Sequence, residues 1–102
     1  VLEHENHGIM FNKLIKQFTY KPIIKRGLIS DKTEKYEFIS KMQEEVNEVY
    51  DAYTFDKKLS DHEAEEIMDT IFVCLNYLIH YGRSIIKEFL KVYKKNKNRA
   101  KK

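Results

Sequence analysis

The chemistry this sequence can offer rests on four acidic side chains. Glu45 and Glu48 stand three residues apart in one segment, and Glu66 and Asp69 three apart in another. That spacing puts each pair on one helical face, one turn apart. Two carboxylates about 5 Å apart repel by about 3 kcal/mol at an effective dielectric of about 20. Four gathered between packed helices must spread, take up protons, or bind a cation. An all-oxygen donor set suits Mg2+, with Mn2+ as a substitute, better than Zn2+. A di-iron bundle would require Glu-x-x-His pairs, and no histidine here has a glutamate three positions before it. Either acidic pair alone is a common accident of helix surfaces. Two in succession, on faces that also carry apolar residues, are more specific.

The elements that must position these acids follow from periodicity. A first helix is expected from about Gly8 to Phe18, with Ile9, Phe11, Leu14, Ile15 and Phe18 on its apolar side. Tyr20 to Ser30 holds Pro22, Gly27 and three basic residues and reads as a connector. A second helix starts near Ser30 to Thr33 and runs to about Phe55, striped by Phe38, Met42, Val46, Val49 and Tyr53. With Glu45 at zero on this helix, Phe38, Val49 and Met42 fall at about 20°, 40° and 60°, and Glu48 at about −60°. Both glutamates therefore border the buried stripe. Ser60 and Glu63 form a capping box that opens a third helix, which Gly82 ends near Tyr81. Its apolar arc, from Cys74 and Ile67 to Met68 and Ile79, spans about 140°. Glu66 and Asp69 lie opposite that arc, in line with Val73 and Tyr77. The third helix is thus expected to be covered on both sides: by helix two on the acidic face, and by a second subunit over part of the arc. A fourth helix runs from Arg83 or Ser84 to about Tyr93. The fold class is all-α, a four-helix bundle-like protomer that oligomerises through helix faces as a homodimer or homotetramer.

Composition agrees. The 102 residues include three glycines and one proline, few enough for long helices. Residues 1–9 read as a leader, 10–93 as the helical domain and 94–102 as a basic tail. From Lys91 to Lys102 there are seven basic residues and no acid, which leaves twelve of the nineteen basic residues against sixteen acidic ones in the body. The tail reads as a solvated terminus, and nucleic acid is not expected as a partner. The single cysteine, Cys74, makes no internal disulfide and suits a cytoplasmic setting. The longest apolar run is too short to span a bilayer.

At the acidic segments the chain resembles the all-α nucleoside triphosphate pyrophosphohydrolase superfamily, the MazG-like group. The hallmark is Glu-Glu-x-x-Glu on one helix and Glu-x-x-Asp on the next, here Glu44-Glu45-Val46-Asn47-Glu48 and Glu66-Ile67-Met68-Asp69, with Lys41-Met42 ahead of the first motif. The likeness covers about Phe38 to Leu78. It implies that Glu45, Glu48, Glu66 and Asp69 hold Mg2+. It also implies that a nucleotide is hydrolysed between its α and β phosphates to a monophosphate and pyrophosphate, as in nucleotide-pool house-cleaning.

Glu44, about 100° round from Glu45, is the candidate to orient or deprotonate the attacking water, alongside Glu45; a plain surface glutamate is the competing reading. Lys41 either holds a phosphate or pairs with Glu45 one turn on. Asn76 interrupts an apolar run and needs a partner, either a base or sugar or a polar neighbour in the core. Two further functions compete with this one. A phosphoribosyl-ATP pyrophosphohydrolase would share the acidic helices. A non-catalytic helical protein would use the basic tail for nucleic acid, or other faces for a partner.

Overall fold

A computed structural model describes the backbone of residues 2–100 and the side chains of residues 8–99. The described residues are helical, with no strand among them. Helix α1 (Leu2–Ile15) passes directly into a five-residue π-helical segment, Lys16–Tyr20, and a short α2 (Lys21–Lys25). Helices α3 (Lys35–Asp51), α4 (Asp61–His80) and α5 (Ile85–Ala100) follow.

The connector expected around Pro22 is instead mostly helical. Pro22 sits in the first turn of α2, where its missing N–H costs nothing. Just before it the helix widens. The Lys21 N–H reaches back five residues to the Lys16 carbonyl, and the Thr19 hydroxyl donates to the Ile15 carbonyl at 2.8 Å. Such side-chain bonding to the preceding turn bends helices, and here it turns Thr19 and Tyr20 into the interior. Gly27, at φ +76°, then stops the run. Leu28 N–H bonds the Ile23 carbonyl at 3.1 Å and Gly27 N–H the Ile24 carbonyl at 2.9 Å, closing the carbonyls left open at the helix end.

Helix α3 begins later than expected because Ser30 to Thr33 fold on themselves. Thr33 Oγ1 accepts from the Ser30 N–H at 2.9 Å and Ser30 Oγ from the Lys32 N–H at 3.2 Å. The start moves to Lys35, where Glu37 reaches back to the Glu34 N–H. The helix also ends sooner, at Asp51, because the Thr54 N–H is given to Glu63 across the turn. The capping box of α4 forms as its sequence predicts. Ser60 Oγ accepts from the Glu63 N–H at 3.1 Å, and Glu63 Oε1 accepts from the Ser60 N–H at 2.9 Å. Gly82, at φ +72°, ends α4 with the same pair of reverse bonds as Gly27.

Helix α1 begins at Leu2, well before the expected Gly8, and so covers most of the residues read as a leader. Helix α5 runs beyond the expected Tyr93 to Ala100, so the basic tail is helical as far as the description reaches. Lys97 and Arg99 fall in its last turn, where cations favour the helix dipole. Lys101 and Lys102 lie outside the described residues. The start of α5 is held by Asn12 of α1, which accepts the Ile85 N–H at 2.8 Å.

Packing centres on α3 and α4. Phe38 stacks on Tyr77 with ring centroids 4.9 Å apart and planes 8° off parallel. His80 tilts against Phe38 at 5.0 Å, and its Nδ1 is hydrogen-bonded to the Tyr20 hydroxyl at 2.7 Å. Phe38 near the start of α3 thus meets the end of α4, while Glu45 and Glu48 meet Glu66, so the two helices run antiparallel. The buried apolar core is small: Tyr20, Phe38, Ala52 and Ile85. Much of the wide arc of α4 lies open, with Met68 49% and Ile71 43% exposed.

Candidate functional site

Glu45, Glu48 and Glu66 each offer a carboxylate oxygen, and these oxygens lie within 4.8 Å of one another. Their elements explain the meeting. Glu45 and Glu48 flank the apolar stripe of α3, and Glu66 stands on the side of α4 that Val73, Asn76 and Tyr77 turn toward α3. Glu45 is buried, its side chain only 9% exposed, and that of Glu66 is 16% exposed. On each, Oε2 is enclosed without a hydrogen-bond partner. Asp69 sits one turn after Glu66 on an exposed face, outside that three-membered group. Of the four acids singled out in the sequence, three converge and the fourth stands at the margin.

The electrostatics carry the expected strain. Glu48 is held above the ordinary carboxylate range, first by the charge of Glu45, then by desolvation and by Glu66. Lys41 relieves part of the load: its Nζ lies 3.1 Å from Glu45 Oε1 and 3.4 Å from Glu44 Oε1. Desolvation works against the lysine's charge, but the hydrogen bond and charge of Glu45, followed by those of Glu44, outweigh it and raise the ammonium's pKa. The remaining outer contact is weak, His62 Nδ1 at 3.9 Å from Glu66 Oε1. One lysine against three clustered carboxylates leaves net negative charge. A buried carboxylate oxygen with no donor is the feature a hard cation satisfies.

Beside the acids lies a cleft of about 390 Å³, lined by Ile29, Phe38, Val73 and Asn76 together with Lys41 and Glu44. Glu44 is exposed and tied to Lys41, so the structure puts it at the junction of cleft and acids. Asn76 is 4% exposed, and its Oδ1 has no partner. The sequence demanded a partner for this amide, and no core neighbour supplies one to that oxygen.

Sequence reasoning passed over two groups that matter here. Leu28 and Ile29, read only as connector, and Thr33, placed at the expected start of helix two, line the cleft. The apolar pair Leu28-Ile29, set among basic and polar residues, was the available signal. His80, the last residue of α4, joins Tyr20, Phe38 and Tyr81 in one aromatic cluster. Its signal was position, one turn beyond Asn76 on the seam facing α3.

Comparison with protein-family models, curated proteins and solved structures returned no match to this chain. No helix among the described residues is long and apolar enough to cross a membrane.

Proposed function

We propose that this protein is a Mg2+-dependent nucleotide pyrophosphohydrolase of the all-α MazG-like type. It hydrolyses a nucleoside or deoxynucleoside triphosphate between the α and β phosphates. The observation that carries the reading is the convergence of Glu45, Glu48 and Glu66 carboxylate oxygens within 4.8 Å from antiparallel helices, with an enclosed, donor-less oxygen left on both Glu45 and Glu66. Acids shed onto a solvated surface would not leave two oxygens enclosed and unpaired.

Glu45, Glu48 and Glu66 would hold the cation, with Asp69 reaching in from the rim. Bound there, Mg2+ or Mn2+ supplies charge neutralisation for the phosphates and acidifies a water. Glu44, exposed and lining the cleft, would accept the attacking water's proton as its oxygen joins phosphorus. The bond to the bridging oxygen breaks and pyrophosphate leaves. Lys41 steers Glu44 and Glu45 and can turn a donor toward a phosphate oxygen. Positioning and fixed charge supply most of the acceleration in such chemistry.

The active form is a homodimer or homotetramer. Met68, Ile71 and Phe72 make a contiguous exposed apolar strip on α4, the kind of surface that marks an interface. The test of function is a nucleotide panel with Mg2+ or Mn2+, scoring pyrophosphate, beside Glu48→Gln. Wild type is expected to release pyrophosphate from at least one nucleotide and the variant to be severely impaired. Equal behaviour across the panel ends the catalytic reading.

A further inference from the structure

Helix α5 is anchored at its start and bare along the rest. Ile85 is buried, and its N–H is held by Asn12 of α1. From Phe89 to Arg99 every residue is exposed, yet the chain stays helical to Ala100. A free-standing helix of that length is marginal in water, because packing of one face is what ordinarily holds it. The face exists. With Ile85 at zero, Val92 falls at about −20°, Phe89 at 40°, Tyr93 at 80° and Leu90 at 140°. These four are 53%, 67%, 55% and 47% exposed.

The other side is cationic. Lys94, Lys87, Lys91 and Lys95 run from about 180° to 280°, while Lys97 and Arg99 lie at about 120° and −40°, toward the two edges of the apolar arc. Against these six cations α5 has one acid, Glu88, and it is already paired with Arg83 at 3.3 Å and Lys91 at 3.1 Å.

Nucleic acid would meet the cations and leave Phe89, Leu90 and Val92 in water. A second α5 laid face to face would cover the apolar arc but press one cationic helix against another. An anionic lipid surface takes both faces at once. The apolar arc sinks below the headgroups while the lysines remain among their phosphates. Lys97 and Arg99 at the edges reach those phosphates along their methylene stems. Tyr93 pairs an apolar ring with a polar tip, which suits that boundary. Outside Lys91–Lys102 the chain has sixteen acidic residues against twelve basic, so the same surface repels the body and contact falls to the arm.

We infer that α5 from Phe89 to Arg99 is a membrane-surface arm, which lies on an anionic phospholipid bilayer without spanning it. The apolar arc is short, so attachment is reversible and needs both faces of the helix.

The chain has no tryptophan, so Tyr93→Trp supplies a single fluorescent reporter. The full chain with this change is titrated with vesicles of phosphatidylcholine alone, or mixed with an equal part of phosphatidylserine. The unaltered chain is sedimented with the same vesicles, and duplex DNA and RNA are run beside them. The emission is expected to shift to the blue, and the unaltered chain to sediment, with the anionic vesicles only. Lys94→Gln with Lys95→Gln weakens that binding by about 25-fold, at about fivefold per cation near such a surface. Phe89→Ser, at an exposed position, keeps the melting temperature and weakens vesicle binding by about tenfold or more.

Anionic vesicles that neither move the emission nor carry down the unaltered chain overturn the inference. Vesicle binding that survives Phe89→Ser also does, because charge alone would then explain it. Binding to DNA or RNA without binding to vesicles assigns the cations to nucleic acid. An oligomer that falls apart on Phe89→Ser, with no vesicle binding by the wild type, gives the face to a second copy; either result rejects the arm.

Discussion

Glu45 on α3 and Glu66 on α4 each bring a carboxylate oxygen to one cluster, and each keeps an Oε2 atom that is buried without a donor. With Glu48 they offer carboxylate oxygens within 4.8 Å of one another, a group that could hold one cation. A ligand that binds only the folded state stabilises it by mass action, about 2.7 kcal/mol at a hundred times its Kd. Mg2+ or Mn2+ at such excess is expected to raise the melting temperature by roughly 10–20 °C for a domain of this size. Glu66→Gln should lose most of that rise. Thermal unfolding with and without metal decides it, and an unchanged wild-type melt in excess Mn2+ removes the metal site.

The pH dependence of the metal-free protein should carry two opposite signatures. Glu48 has a folded pKa above its ordinary value, so the folded state binds its proton more tightly than the unfolded chain does. Stability from this group is highest when it is protonated. It falls as pH rises between the ordinary carboxylate value and the raised one. Glu63 is the reverse. Hydrogen bonds from Ser60, then from Thr54, hold its pKa down, so its contribution is full above the ordinary value and is lost as pH falls through the lowered one. Glu48→Gln should therefore raise the metal-free melting temperature at neutral pH and leave it unchanged in acid. Ser60→Ala should cost about 1 kcal/mol at neutral pH. Melting curves from acid to neutral pH in EDTA check both signs.

Much of this site was legible in the chain, and particular residues show why. Spacing alone placed Glu45, Glu48 and Glu66 beside apolar residues, because a helix fixes the angle between side chains. The Ser60–Glu63 box and Gly82 were readable because caps are local chemistry. The run from Lys16 to Lys25 was not. Whether Pro22 breaks a helix or opens one depends on the widened turn that Thr19 makes before it, and on the burial of Tyr20. The cleft was hidden for a similar reason: Leu28 and Ile29 gain meaning only once the chain after Gly27 folds back across α3 and α4. The margin position of Asp69 also escaped the spacing argument. Helical phase gives direction but not how closely a neighbouring helix approaches.

Lys41 should show opposite effects on metal and on substrate. Its ammonium lies 3.1 Å from Glu45 and 3.4 Å from Glu44, and so competes with any cation for those acids. Lys41→Gln removes that competitor and is expected to tighten Mn2+ binding. The same change deletes the donor available to a phosphate, so KM for the nucleotide should rise several-fold. Calorimetric titration of Mn2+ and steady-state kinetics provide the two readings. Tighter metal with unchanged KM would leave the lysine as a partner of Glu45 alone.

The open arc of α4 makes the last prediction. Met68, Ile71 and Phe72 are 49%, 43% and 37% exposed, on the helix that also carries Glu66 and Asn76. A second copy laid over this strip would bury apolar area worth roughly 25 cal/mol per Å² and would press α4 from the side away from α3. The protein at micromolar concentration should therefore scatter light as a dimer or tetramer. Ile71→Glu, which sets a charge in the middle of the strip, should shift it toward monomer. Because the same helix bears one wall of the acidic site, the variant should also bind Mn2+ more weakly, even though residue 71 does not touch the acids. A wild type that remains monomeric at that concentration would mean that α4 meets solvent along this arc, and that the site is complete within one chain.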